Sequence, residues 1–152
     1  MTSDVHLSRA IARGVIAAMA MTGMRTVTRG LGLIKRSPPE QIAEEAVPRL
    51  IALIPRNLRD EAVELAHWGY GGMGAVAYEL LPGRVRHLAW AGPIYGLATW
   101  AFFEAALAPF LGLRHVQEST LAERAAFAAD HALYGIVVAN SPWPHEPNGR
   151  RG

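Results

Sequence analysis

The longest apolar stretch of the chain limits its possible folds more than any other feature. Leu88 to Leu113 holds 26 residues and a single charge, that of Glu104. A helix that crosses a lipid bilayer needs about 20 mostly apolar residues. Trp90 and Tyr95 lie near one end, where aromatic side chains favour the membrane interface, and Pro109 lies near the other. The stretch therefore predicts a membrane-spanning helix.

The composition agrees with a membrane protein and excludes several other classes. Of the 152 residues, 51% are hydrophobic and 18% are charged, against about 25% charged residues in typical soluble domains. The chain has no cysteine, which excludes a disulfide-stapled scaffold and thiolate metal or redox chemistry. A net charge of +2 is too small to indicate binding to nucleic acid. The length suits one domain.

Three further stretches are candidate membrane spans. The first has an uncharged centre, Gly14 to Met24, which is short, but arginine side chains near both of its ends can reach the interface, so residues 8–30 can still cross. The second ends before Pro82, and the fourth opens at a capping box, Thr120 to Glu123. We therefore predict an all-α, polytopic membrane protein in one domain. Its four transmembrane helices cover about residues 8–30, 63–81, 88–112 and 121–140.

Residues 37–55 predict an amphipathic helix outside these spans. Ser37 to Glu40 has the sequence of a capping box with proline at the first helical position, and apolar residues then recur at helical spacing through a bend at Pro48. Such a helix lies in the membrane interface or packs on the end of the bundle. The alternative fold is a soluble all-α bundle around one very hydrophobic helix. We favour the membrane because residues 37–55 alone show the polar face that a surface helix needs.

Small residues recur four positions apart in all four predicted spans. This spacing allows transmembrane helices to approach closely. We expect helix packing at five glycines: Gly14, Gly71, Gly92, Gly96 and Gly135. Glu104 continues the Gly92 and Gly96 series at strict four-residue spacing, which predicts that its carboxylate lies on the packed face rather than towards lipid.

Ionisable residues inside the predicted spans form a second pattern. With a helix rise of about 1.5 Å per residue, five of them fall in the half of the bilayer nearest residues 30–62. They are Arg25, His67, Glu104, Asp130 and His131. Ionisable groups in spans pair or line a wet cavity, so we predict a polar pocket that opens to this side. The alternative is structural: Glu104 bonds to Arg25 or His131, and His67 anchors the interface beside aromatic side chains.

No catalytic, metal or cofactor motif accompanies these residues. His67, Glu104 and His131 are acceptable metal ligands, but no two of them share a short motif. The sequence also has no nucleophile elbow, phosphate-binding loop or zinc-protease helix. We therefore expect no metal, no cofactor and no enzyme activity. A membrane enzyme that uses Glu104 and His131 as acid and base is the less favoured alternative.

Several short motifs follow one another between residues 10 and 138. Met21-Thr22 lies in the Ala-rich first span, and glycines follow His67 in the second. The third span contains GPIYG, Gly92 to Gly96, and the fourth contains HALYG, His131 to Gly135. In order and spacing these motifs resemble the YagU-like family of small bacterial inner-membrane proteins, whose function is largely uncharacterised. The resemblance implies a four-span helical membrane protein and transfers no catalytic residue. The polar segment between the first two spans and the arginine inside the first span depart from it.

Two functions follow almost equally well from these patterns. The first is an interaction or structural membrane subunit, which packs against itself or a larger membrane complex through glycine and alanine faces. The second is a membrane protein whose polar pocket holds a proton or a small solute. In both, the lipid bilayer of the bacterial inner membrane surrounds the protein, and nucleic acid is not a partner. Residues 142–152 predict an irregular end.

Overall fold

Four long helices make up most of the protein. The computed structural model describes residues 2–140, so the irregular end predicted for residues 142–152 lies outside the described residues. The helices are α1 (Thr2–Gly30), α2 (Arg59–Glu79), α3 (Ala91–Leu111) and α4 (Leu121–Asn140). Residues 2–140 contain no strand, and the predicted all-α fold is confirmed.

The long helices are neighbours in the order α2, α1, α4, α3. α1 packs along both α2 and α4, and α4 also packs along α3. α2 and α3 approach each other through the rings of Tyr78 and Tyr95, whose centroids lie 5.1 Å apart. The Tyr95 hydroxyl also donates a hydrogen bond to the carbonyl oxygen of Gly74 at 2.6 Å. Beyond this contact, towards Tyr70 and Phe103, a space remains between the two helices.

Glycines bring the helix backbones together at two interfaces. Between α1 and α2, a Cβ atom on Gly14 would collide with the carbonyl oxygen of Gly71. Between α3 and α4, a Cβ atom on Gly92 would lie 2.5 Å from the carbonyl oxygen of Gly135, and one on Gly135 would lie 2.9 Å from the amide nitrogen of Gly96. All five glycines of the predicted packing set therefore lie at contacts between helices of the same chain.

The connections between the long helices contain short helical segments. These are Pro38–Gln41, Ile42–Ala46, Pro48–Ala52, Arg56–Leu58, Gly83–Arg86 and Arg114–Glu118. The amphipathic helix predicted for residues 37–55 is thus divided into two at Val47. Its first half packs onto the bundle, where Gln41 is buried, and its second half exposes Leu50 and Leu53.

Two turns of π-helix, Ile42–Ala46 and Phe103–Leu107, stand just ahead of prolines. At the end of each turn an N–H donates to the carbonyl five residues earlier, from Val47 to Ile42 and from Ala108 to Phe103. A proline has no N–H, and its ring collides with the carbonyl four residues before it. A wider turn relieves this collision. After Phe103–Leu107 the helix continues through Pro109, whereas after Ile42–Ala46 it is interrupted at Val47.

An ion pair fixes the segment after α1 to the end of that helix. Arg29 donates to both carboxylate oxygens of Glu40, at 2.7 and 2.8 Å, and the Ser37 N–H donates to the same carboxylate at 2.9 Å. Burial alone would raise the pKa of Glu40, but these hydrogen bonds and the charge of Arg29 together lower it below its usual range. Glu40 therefore stays charged and links the start of the segment to the end of α1.

One long helix has the length and composition of a membrane span. Among the described residues this is Ala91–Leu111, whose most apolar 18-residue window has a mean hydropathy of 1.4 and is 17% buried. The other three predicted spans do not meet the same criterion. Arginines interrupt α1, and charged residues occupy the first turns of α2 and α4.

Candidate functional site

A cavity of about 260 Å³ lies between the four long helices. Its ionisable lining residues are Arg25 from α1, His67 from α2, and Asp130 and His131 from α4. The rest of the wall is mostly apolar and consists of Met21, Pro38, Pro39, Ile42, Tyr70, Phe103, Leu107, Leu111 and Phe127. The structure thus brings together four of the five ionisable residues that the sequence places in one half of the bilayer. On the side where the sequence predicts an opening, residues 38–42 form part of the wall.

Asp130 is the most deeply buried ionisable group at this cavity. Its exposed fraction is 3%, and its Oδ1 atom is buried without a hydrogen-bond partner. Buried polar atoms in proteins are normally hydrogen-bonded, because leaving one unpaired costs about 1–3 kcal/mol. An unpartnered carboxylate oxygen at a cavity wall is therefore not explained by helix packing.

The two histidines of the cavity differ in their hydrogen bonding. Nδ1 of His131 lies 2.8 Å from the carbonyl oxygen of Phe127. Because a carbonyl can only accept, Nδ1 carries the proton, and Nε2 of the neutral ring is then an acceptor. Nε2 of His67 is buried and has no hydrogen-bond partner. Asp130 and His67 therefore each bring one unpartnered polar atom to the cavity lining.

Arg25 is held at the cavity by a partner on α2. Its Nη2 donates to the two carboxylate oxygens of Glu64, at 3.2 and 3.3 Å, and to the hydroxyl of Thr22 at 2.9 Å. The Thr22 hydroxyl donates to Glu64 at 2.7 Å and accepts from the indole N–H of Trp68 at 3.2 Å. Glu64 thus takes the ion pair of Arg25, and among the described lining residues no ion pair joins Arg25 to Asp130.

Glu64 is a site residue that sequence reasoning misses. It lies in the polar first part of α2, three residues before His67, which puts both side chains on the same side of the helix. A signal for it exists in the sequence. An arginine inside a predicted span needs an anion at similar depth, and Glu64 is the acidic residue one turn from His67.

Glu104 lies apart from the other four residues of the predicted cluster. It lines a separate pocket with Arg124, whose Nε is 4.0 Å from its Oε2. The reason is helix geometry. A helix has about 3.6 residues per turn, so each four-residue step overshoots a turn by about 40°, and three steps from Gly92 turn Glu104 by about 120°. Phe103, one residue earlier, is buried at the cavity instead.

A second cavity of about 280 Å³ extends between α2 and α3. It shares the following lining residues with the first cavity: Met21, His67, Tyr70, Phe103 and His131. Tyr70 and Met73 line it and have exposed fractions of 61% and 64%. The two cavities therefore meet at His67 and His131, and together they reach the protein surface between α2 and α3.

The described residues contain no group of three His, Asp or Glu side chains that could hold a metal ion. His67 and His131 share a cavity, but Glu104 lines a different pocket. The three candidate metal ligands, His67, Glu104 and His131, therefore do not meet at one site.

Comparison with known proteins does not assign the chain to a family. No family model matches it, and neither does a curated protein or a solved structure. What the site binds therefore has to follow from the chemistry of its own residues.

Proposed function

We propose that this protein is a polytopic membrane protein whose helices enclose a pocket for a proton or a small polar solute. The observation that carries the proposal is Asp130, a buried carboxyl group with an unpartnered oxygen at a cavity wall. Ionisable groups inside membrane helices are expensive, and they mark substrate or ion pathways. A pocket gives Asp130 a role that helix packing does not.

The surface of the helices supports a membrane location. Only 17% of the most apolar window of α3 is buried, whereas the central helix of a soluble bundle is buried on all sides. The other long helices also expose large apolar side chains, among them Ile16 in α1, Leu65 in α2 and Ile136 in α4. Such surfaces are stable against lipid rather than water. A soluble bundle is therefore the less favoured alternative.

The glycine faces give little support to an interaction subunit. Gly14 and Gly71 already lie in the contact between α1 and α2. Gly92, Gly96 and Gly135 lie in the contact between α3 and α4. These glycines hold the chain's own helices together. Packing against a larger membrane complex would have to use other surfaces.

A membrane enzyme with Glu104 and His131 as acid and base is also not favoured. The two residues line different cavities, Glu104 beside Arg124 and His131 beside Asp130.

A four-span protein of the bacterial inner membrane agrees with what the resemblance to the YagU-like family implies, and membership of that family is part of this proposal.

Thermal unfolding of the variant Asp130→Asn in detergent separates a binding role from a structural one. Asparagine has the same size but no charge, so the variant no longer buries an unpartnered carboxylate. We expect its Tm, followed by circular dichroism, to be unchanged or raised, by roughly 3 °C for each kcal/mol gained. Glu64→Gln is the comparison, because Glu64 is hydrogen-bonded, and its Tm should fall. An equal fall for Asp130→Asn would show that Asp130 holds the helices together, and the pocket function would be lost.

A further inference from the structure

We propose that the solute is a small organic cation, namely an ammonium group with N–H donors on an apolar body of about one ring. This inference rests on the proposed pocket function and names the class of molecule that the pocket takes. Three properties of the cavity lead to it: its charge balance, its free hydrogen-bond acceptors and its apolar wall.

The charge balance of the cavity favours a cation. The groups that face Asp130 are Arg25 from α1, Glu64 and His67 from α2, and His131 on its own helix. On the side of α3 the wall is apolar and includes Phe103. With both imidazoles neutral and both carboxylates ionised, the charges of Arg25, Glu64 and Asp130 sum to −1. A monovalent cation neutralises the site, whereas an anion adds repulsion to a buried carboxylate.

The hydrogen-bonding atoms of the cavity favour N–H donors on that cation. Asp130 Oδ1 has no partner and can accept. His131 donates through Nδ1 to a backbone carbonyl, which leaves Nε2 as an acceptor. Nε2 of His67 is also unpartnered, and it accepts in the tautomer that carries its proton on Nδ1. A primary or secondary ammonium group has the donors that these atoms lack, and a quaternary ammonium group does not.

The remaining wall favours an apolar body rather than a bare inorganic ion. Phe103, Phe127 and Leu107 line the cavity beside the polar atoms, and aromatic faces attract an organic cation. An inorganic cation would need several oxygen ligands, and the described residues provide no such cluster. The volume of about 260 Å³ accommodates a one-ring molecule. Access runs through the second cavity between α2 and α3, past exposed Tyr70.

Three probes of the same size and different charge test the inference: benzylammonium, benzyl alcohol and benzoate. The full chain is reconstituted in lipid nanodiscs, and each probe is titrated into it calorimetrically, with empty nanodiscs as the blank. We expect benzylammonium to bind the wild type at least about 10-fold more tightly than benzyl alcohol, and benzoate to bind more weakly than either. Asp130→Asn should remove the preference for benzylammonium. Glu104→Gln, which changes an acidic residue outside the cavity, should retain it.

The wild-type comparison decides the inference even if a variant fails to fold. Equal binding of benzylammonium and benzyl alcohol, stronger binding of benzoate, or no binding of benzylammonium would each overturn the ammonium class. In those cases the pocket function still stands if the Tm of Asp130→Asn is unchanged or raised. A large fall in that Tm removes the pocket function itself, so the two failures are distinguishable.

Discussion

Arg25 and Asp130 are the two buried charged residues among the side chains that the structure describes, and their surroundings differ. Arg25 is 6% exposed and shares hydrogen bonds with Glu64 and Thr22. Asp130 is 3% exposed and keeps one oxygen unpartnered. Removing one partner of a buried pair leaves the other charge uncompensated, whereas neutralising an unpartnered group removes an existing cost. The two sites should therefore respond in opposite directions when a carboxylate is neutralised.

The variant Glu64→Gln tests the paired site. It leaves the guanidinium of Arg25 buried without its counter-charge, and we expect a loss of about 1–2 kcal/mol in the free energy of unfolding. The loss stays at this level because the Glu64 side chain is 31% exposed and water screens the pair. Urea unfolding in detergent micelles measures it. Glu61→Gln, an exposed position one turn earlier in α2, is the control, and equal stability of the two variants would contradict the expectation.

A site residue can be predicted from the sequence when neighbouring residues are enough to mark it as unusual. Arg25, His67, Asp130 and His131 were predicted together because an ionisable residue in an apolar stretch is visible in the sequence. The predicted position of Glu104 depends on four-residue spacing over three turns, and the rotation error of about 40° per step adds up. Glu64 sits where α2 is still polar, so composition did not distinguish it from its solvated neighbours.

The long helices owe their positions to signals within one or two turns of the chain. The capping box predicted at Thr120 is confirmed, since the N–H of Glu123 lies 3.2 Å from the Thr120 hydroxyl and the Thr120 N–H donates to Glu123 at 2.9 Å. The helix predicted for residues 37–55 is broken instead, because the chain widens into a π turn before Pro48. Proline predicts a disturbance at that point, but tertiary packing selects its form.

A single methyl group added at the contact between α3 and α4 should destabilise the protein. Gly135→Ala places a Cβ atom against the carbonyl oxygen of Gly92, so the helices have to separate. We expect the variant to lose about 1–3 kcal/mol of stability, although alanine favours a helix over glycine by about 1 kcal/mol.

Gly69→Ala is the matched control for this prediction. It makes the same change in the interior of α2, where nothing lies within 4 Å of the new Cβ atom. We expect this variant to be as stable as the wild type or more stable. Thermal unfolding of both variants in detergent measures the difference. Equal Tm values for the two variants would mean that the close approach of α3 and α4 is not needed for the fold.

At the scale of the whole protein, the main feature is the position of the exposed apolar side chains. Large apolar side chains are exposed on all four long helices, including Leu97 and Phe102 on α3. These exposed apolar side chains support the proposed membrane location, because such a surface is more stable against lipid than against water.

Membrane fractionation tests this arrangement directly. We expect the expressed protein to stay in the membrane pellet through a wash with alkaline carbonate and to leave it in detergent. Carbonate removes proteins that are bound to the membrane surface by charge, but lipid-embedded helices stay. Release into the carbonate wash would overturn the membrane proposal in favour of a soluble bundle.

Local information in the chain is sufficient for the helical class, the positions of the long helices and the presence of buried charges. Apolar runs, prolines and capping residues act over one or two turns, so they can be recognised without the fold. The partners of those charges depend on the rotation of each helix about its axis and on which helices are neighbours. The pairing of Arg25 with Glu64, and the unpartnered oxygen of Asp130, therefore follow from packing between segments that lie far apart in sequence.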